Sequence, residues 1–515
     1  MQTSRKYLLS IGVMTGNSLD GADVVLTRFD EDGGIEDLKT HSLKSPADLT
    51  VKLRQLRDVI NQCYGDMKLA VTTFDQQASE HGTFDDLHES YVRFVANAIK
   101  ELIQIAKQDT KLTKQYDLDK IDLIGFHGQT CAHYPPSIAK TRDPKVVYTC
   151  QIGDGQLLAN LTGISVVYDF RSDDLMNGGE GAPLAPVHHQ HLAEQMKCQG
   201  YFPIAICNAG NTGNFTIISY DLKTDEQKVV GLDTGPFNNY PDKLMQEEHN
   251  QDCDLDGSYG LRGCVNQNLL KILFETAVVN NDGQNFLLQP PPKSSDPQWY
   301  KLIPELTGEN LVDGQVLSFE DRVRTAEYFS AYIYVYALMM IPENIEMPNY
   351  YALCGGGWKN PVSREHFVGL LKGEFDQNPV LPEHRTVFEK LRARIFSSQK
   401  QSTNQAMRES HIDFSEKFGF DGTAMEARIF ADAAVCRIKG EPFTKPITTG
   451  VKVSTVAGII RFPNGSEAMA TPTLLQWLAK YTSRELVKDF PSTFDSRWSR
   501  ASAGWSHKLA AFMTD

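Results

Sequence analysis

Apolar and polar positions follow two periods along this chain. "YLLSIGVM", starting at Tyr7, is almost continuously apolar, gives way to the small, polar "TGNSLDGAD", and returns to the β-branched "VVLTRF". That order predicts a strand, a tight connection and a second strand. "DEDGG" then turns the chain toward a third strand-like segment, "GIEDLKTHSL". From Asp48 to about Lys107 the spacing is helical in two long pieces, one of them containing "YVRFVANAIKELIQIA". "IDLIGFHGQT", "KVVYTCQIG" and "GISVVYDF" read as further strands, with the helical "GQLLANL" between the last two.

The opening pattern comes back near Tyr201. "YFPIAICNAGNTGNFTIISYD" is again an apolar strand, a Gly/Asn turn and an alternating strand, followed by strand-like "EQKVVGLD". A repeated supersecondary unit says more than either copy alone. It predicts two similar α/β domains, residues 1–198 and 199–463, each presenting a glycine-bearing hairpin. Residues 464–515 form an extension in which "LLQWLAKYTSRELVKDF" reads as an amphipathic helix packing on its own domain.

Length and composition agree with this plan. A chain of 515 residues exceeds what one core usually fills. With 41% hydrophobic and 23% charged residues it is an ordinary globular protein. Fifty-one basic against 65 acidic residues leave a formal charge of -14, which argues against a nucleic-acid surface or a polybasic membrane patch. The nine cysteines contain no C-x-x-C pair, and no apolar run has spanning length, so a reduced, cytoplasmic protein is expected.

The two hairpin turns raise the question of chemistry. Small residues join strands without strain, and they also let backbone N–H groups approach an anion. Neither a Walker loop nor a Rossmann fingerprint is present in its proper context. Strand-turn-strand phosphate loops in duplicated domains are instead the plan of the actin, Hsp70 and sugar-kinase superfamily. The expected fold class is therefore α/β, with two duplicated actin-like (ribonuclease H-like) domains and an interdomain cleft.

Within that superfamily the chain resembles the anhydro-N-acetylmuramic acid kinases. The resemblance is carried by "GVMTGNSLDGAD", "IGFHGQT", "CQIGDGQLLANLTGISVVYDFR", "GGEGAPLAPVHH", "NAGNTGNFT", "GLDTGPFN", "CGGGWKNP", "GTAMEARIFADAA" and "TTGVKVSTVAGIIRFP", in family order from Ile11 to about Pro463. It implies an enzyme that uses ATP and Mg²⁺ to open a 1,6-anhydro sugar and phosphorylate O6, and it implies a homodimer.

Carried over residue by residue, the resemblance gives Thr15, Gly16, Asn17, Ser18, Asp20 and Gly21 as the first phosphate loop. Gly210 and Asn211 become the second, and Asp20 becomes the Mg²⁺ ligand, as hard cations prefer oxygen. Gly355, Gly356 and Gly357 would admit adenine or ribose. Asp233 would be the general base that activates a water, while His127, Arg171 and Glu426 would contact the sugar. Each has a plainer reading: Asp20 as a turn cap, His127 as a structural histidine, Arg171 as a partner of Asp169, Glu426 as a solvated helix position, and the glycines as close packing. "VHHQH" resembles a metal cluster, but no carboxylate or cysteine accompanies it in sequence, so its histidines read as structural.

Three departures from the family pattern bear on the substrate. Phe237 puts a ring where the family has glycine, close to the expected reaction centre. The second hairpin has one glycine where two adjacent ones are usual. Ser172-Asp173-Asp174 replaces basic residues. The resemblance makes anhydro-N-acetylmuramic acid the expected substrate; Phe237 and Ser172-Asp173-Asp174 keep a neutral anhydro sugar such as levoglucosan open as the alternative, and a non-catalytic nucleotide or sugar binder is a reading of another class. An insertion falls between Lys372 and Ser415.

Overall fold

The structure, a computed structural model, describes residues 5–16, 19, 21–78, 82–141, 146–280, 282–290, 293, 295, 299–401 and 410–481. In chain order the strands are β1 (Tyr7–Met14), β2 (Gly21–Asp30), β3 (Ile35–Lys44), β4 (Leu123–Phe126), β5 (Gln129–Tyr134), β6 (Tyr148–Ile152) and β7 (Ser165–Tyr168). They continue with β8 (Ile204–Ala209), β9 (Thr212–Tyr220), β10 (Gln227–Pro236), β11 (Tyr350–Cys354), β12 (His411–Phe414) and β13 (Ile459–Arg461). Two compact units result, one of residues 1–191 with the chain from Ala424 onward, the other of residues 192–423.

The sheet of the first unit has the order β13-β7-β4-β1-β2-β3. β1, β2 and β3 are antiparallel neighbours, whereas β4 and β7 run parallel to β1. β1 sits in the middle and is buried along its length except at its two ends, as its unbroken apolar run requires. β3 is the edge strand, and its charged, half-exposed side chains suit that place.

The two long helical pieces expected before Lys107 are three helices, Ala47–Gln62, Met67–Asp75 and Phe84–Gln108. The break after Gln62 comes where Tyr64 and Gly65 both take positive φ. Phe84–Gln108 starts on a capping box, with Thr83 Oγ1 accepting from Asp86 N and the Asp86 carboxylate accepting from Thr83 N, both at 3.2 Å. Leu87, Tyr91, Val95, Ala98 and Leu102 recur at helical spacing and are buried.

The second sheet repeats the first. Its order is β10-β9-β8-β11-β12, with β8, β9 and β10 antiparallel and β11 and β12 parallel to β8. Strand for strand, β8 to β12 match β1, β2, β3, β4 and β7 in order and direction, which is the duplicated actin-like α/β plan expected from the two hairpins. Helix Phe319–Leu338 is buried on nearly all sides in this unit. The stretch between Lys372 and Ser415 supplies helix Arg385–Gln401, whose Phe388, Leu391 and Ile395 join the unit's core. Residues 402–409 lie outside the described residues.

The chain's return at Ala424 differs from the expected division at residues 198 and 463. Helix Met425–Lys439 lies on β1 and β4, and β13 pairs antiparallel with β7, so both belong to the first unit. The cause is steric. A Cβ on Gly12 would stand 1.9 Å from the Ala427 carbonyl oxygen, and one on Gly125 would stand 1.9 Å from that of Phe430. Only glycine at both strand positions lets the helix backbone rest on the sheet.

Helix Pro472–Tyr481 also packs within the first unit, burying Leu474, Trp477 and Leu478. Thr473 Oγ1 accepts from Arg5 Nε at 3.1 Å, and Lys480 pairs with Glu31. The expected extension therefore begins as part of the first unit, while residues 482–515 lie outside the described residues. All nine cysteines are free thiols. Among the described residues no helix is long and apolar enough to cross a membrane.

Gly12→Ala is expected to lower stability by about 1–3 kcal/mol or more, because a backbone carbonyl blocks the added methyl. Thermal denaturation reads this directly, and an unchanged melting temperature would mean that the helix does not rest on β1.

Candidate active site

In the first unit the β1–β2 turn is anchored by its neighbours. Thr15 Oγ1 lies 2.8 Å from Tyr91 Oη and donates to Gly128 O at 3.3 Å, while Gln129 Nε2 donates to Gly16 O at 3.2 Å. Thr15 is buried, so its hydroxyl fixes the loop's entry. Gly21 opens β2 and pairs with Lys44. Asn17, Ser18 and Asp20, the heart of the expected phosphate loop, lie outside the described residues.

His127 and Arg171 meet. β4 and β7 are parallel neighbours, so the residues just past their C-terminal ends come together. Arg171 Nε donates to His127 Nε2 at 3.1 Å, and Arg171 Nη1 donates to Gly181 O at 2.7 Å. Burial, with the guanidinium beside it, holds His127 well below its ordinary pKa and keeps the imidazole neutral. Burial also pushes Arg171 down to about 10, and Asp174 works against that shift. Arg171 thus partners His127 and Gly181, whereas Asp169 accepts from Ser172 Oγ at 2.6 Å. The His127 ring packs against Phe430 at 4.5 Å between centroids. Glu426 is exposed one turn before Phe430 on the same helix.

Ser172-Asp173-Asp174 turns into the unit. Asp173 Oδ2 accepts from Gly458 N at 3.0 Å; Asp174 accepts from Gly181 N at 2.6 Å and from Thr449 Oγ1 at 2.5 Å. These carboxylates tie the loop ending at Gly181 to the closing segment 449–458. The acidic residues that stand where the family has basic ones are thus engaged inside the unit.

In the second unit the two glycine turns are adjacent, because β8 and β11 are parallel with Asn208 opposite Cys354. Phe237 N donates to Asn211 O at 3.0 Å, Asn238 N to Gly210 O at 3.1 Å, and Asn239 Nδ2 to Asn211 Oδ1 at 3.0 Å. Gly355 has φ +92°, and a Cβ there would stand 2.6 Å from both Ala209 O and Asn208 Oδ1. Nothing lies within 4 Å of the place a Gly356 Cβ would take, and at Gly210 the nearest atom is 3.7 Å away. Two open backbone stretches thus stand side by side, and Asn239 Oδ1 is buried there without a protein partner.

Phe237 corrects an expectation. Its ring is 1% exposed and edge-on to Trp358 at 4.7 Å and to Tyr334 at 5.8 Å. A Cβ on Gly357 would stand 2.8 Å from it. The ring forms the apolar floor beneath the Gly355–Gly357 turn, so it is part of the core.

Asp233 sits near the end of β10, where the register with β9 shifts between Asp233 and Gly235. That irregularity re-aims the strand's end. Asp233 Oδ2 accepts from Ser295 N at 2.8 Å and from Ser295 Oγ at 3.3 Å, and Ser295 Oγ bonds in turn to Tyr300 Oη. A carboxylate with two oxygens retains acceptor capacity beyond these bonds. Asp233 N donates to Lys293 O at 3.1 Å. Burial pushes the Lys293 ammonium down to about 8, and Asp233 works against that shift. Ser295, Lys293 and Tyr300 escaped the sequence reading because "QPPPKSSDP" reads as a plain proline-rich loop. Asn208 and Asn238 were legible as polar residues flanking the two quoted turns.

The family model described as anhydro-N-acetylmuramic acid kinase matches residues 8–375. Among curated relatives, the anhydro-N-acetylmuramic acid kinase of Methylorubrum populi is 29% identical over 454 residues, covering 88% of this chain and 99% of its own. Those of Vibrio cholerae and Zymomonas mobilis are 29% and 30% identical, each over 88% of this chain and over 99% and 100% of their own lengths. With a family match over residues 8–375 and relatives of that name aligned over 88% of its length, the chain belongs to the anhydro-N-acetylmuramic acid kinase family.

Proposed function

We propose that this kinase opens the 1,6-anhydro ring of anhydro-N-acetylmuramic acid with water and phosphorylates O6 from ATP, giving N-acetylmuramic acid 6-phosphate. The observation that carries the reading is Asp233, a carboxylate fixed by Ser295 on the same unit as two open glycine turns. In this reading Asp233 takes a proton from the water that attacks the anomeric carbon. The bond from that carbon to O6 breaks, and the freed O6 accepts the γ-phosphoryl group. ADP and the sugar 6-phosphate are the products.

Phosphoryl transfer asks a protein mainly for positioning and charge neutralisation. The open backbone at Gly210 and Gly356 suits a phosphate chain and a flat nucleoside, and the orphaned Asn239 Oδ1 suits a ligand hydroxyl or amine. Mg²⁺ would neutralise phosphate charge, and Asp20 is the residue assigned to hold it. Neutral His127, oriented by Arg171, and exposed Glu426 would receive the sugar. The homodimer implied by the resemblance and the cytoplasmic setting expected from the scattered cysteines belong to the same reading.

The neutral-sugar alternative loses the motive that Phe237 gave it and keeps the one given by the basic residues missing at 172–174. Phe237 lies in the core, and Ser172-Asp173-Asp174 is engaged within its own unit. A coupled ADP-release assay with both sugars decides between them: turnover of anhydro-N-acetylmuramic acid is expected, and turnover of levoglucosan alone would sink the proposal. Binding of ATP without transfer to either sugar would favour a non-catalytic binder.

Asp233→Asn is expected to lower kcat by about 10²–10⁴ with the melting temperature preserved, since the amide cannot accept the proton. Near-normal turnover would remove Asp233 as the base. Phe237→Leu is expected to cost on the order of 1–3 kcal/mol of stability as a core truncation. The same variant should leave the preference between the two sugars unchanged, and an altered preference would return Phe237 to the substrate site.

A further inference from the structure

Three side chains of the first unit, carried by two helices, meet at a point for which the kinase reading has no use. Helix Ala185–Cys198 brings His191, and helix Met425–Lys439 brings Asp432 and Cys436. Asp432 and Cys436 are four residues apart, hence stacked on one helical face. One ligand atom from each of His191, Asp432 and Cys436 lies within 4.8 Å of the other two. His191 Nδ1 is 2.8 Å from Asp432 Oδ2, and Cys436 Sγ is 3.7 Å from Asp432 Oδ1. Asp432 and Cys436 are buried, whereas the His191 side chain is 32% exposed.

A supporting shell stands behind the carboxylate. Arg428 Nε donates to His188 Nε2 at 3.1 Å, which leaves the His188 proton on Nδ1. From there it donates to Asp432 Oδ2 at 2.7 Å. Arg428 is itself fixed by an ion pair with Asp37. An imidazole that orients a carboxylate, held in turn by a third group, is what outer partners of metal ligands supply.

We propose that His191, Asp432 and Cys436 bind one divalent transition-metal ion of the zinc class. One nitrogen, one oxygen and one sulfur donor suit a borderline-soft, tetrahedral cation and not Mg²⁺ or Ca²⁺, which take oxygen ligands. Solvent reaches the cluster past the exposed edge of His191 and completes the fourth position. Binding releases two protons to water, the Sγ proton of Cys436 and the imidazolium proton that His191 holds in its ion pair with Asp432, and no electron changes hands. The ion joins His191 to helix Met425–Lys439, all three ligands lying within the first unit. Without a metal, His191 and Asp432 form an ion pair and the Cys436 thiol donates to the other carboxylate oxygen, Asp432 Oδ1.

The test titrates the metal-stripped, full-length protein with Co²⁺. One equivalent is expected to give a tetrahedral visible spectrum with a thiolate-to-cobalt charge-transfer band, and Zn²⁺ to displace it. The band should vanish in Cys436→Ser, and saturable binding should be lost in His191→Gln, whose partly exposed position keeps the fold intact if Cys436→Ser fails to fold. His188→Gln should weaken binding about 10–100-fold. Zn²⁺ should raise the melting temperature of the wild type but not that of His191→Gln. A wild type without a saturable cobalt band, or equal binding by wild type and His191→Gln, would overturn the proposal.

Discussion

The backbone of helix Met425–Lys439 rests directly on β1 and β4, with no side chain between. Gly12 and Gly125 are what permit this, since a single methyl at either strand position would meet a helix carbonyl oxygen at 1.9 Å. Much of the first unit's chemistry follows from that contact. The helix places Phe430 against His127, carries Glu426 one turn earlier, and turns Arg428, Asp432 and Cys436 toward helix Ala185–Cys198. A helix pushed outward by a larger residue would shift all of these groups together.

The second unit reaches a comparable precision by other means. Its two open glycine turns lie on a rigid aromatic floor of Phe237, Tyr334 and Trp358, and Trp358 Nε1 is fixed by Cys207 O at 2.9 Å. Asp233 is held by Ser295, which Tyr300 holds in turn. Because phosphoryl transfer relies on placement, groups locked by packing and by hydrogen-bonded neighbours are the means by which such a site acts.

Much of this was legible in the sequence. The strand-turn-strand patterns at Tyr7 and Tyr201 predicted the duplicated sheets, whereas the motifs that resemble the family gave His127, Arg171, Gly210 and Gly355 separate ligand roles and not the contacts that bring them together in pairs. Periodicity marks the buried face of a helix but not the sheet that receives it, so the return of the chain at Ala424 was misplaced. The signal available was an isolated glycine inside each of two apolar strands, a mark of close backbone approach. The inward direction of Phe237, Asp173 and Asp174 could not be read, because side-chain sidedness at a turn is set by tertiary contacts. His191 and Asp432 lie 241 residues apart, so local spacing could not join them.

The central claim is that water opens the anhydro ring while O6 takes the phosphoryl group. It is tested most directly by running the reaction in water carrying heavy oxygen and analysing the promptly quenched product by mass spectrometry. The account predicts one heavy oxygen per sugar 6-phosphate, on the anomeric carbon, and none in the phosphoryl group. Heavy oxygen in the phosphoryl group, or a phosphorylated sugar without label, would contradict it.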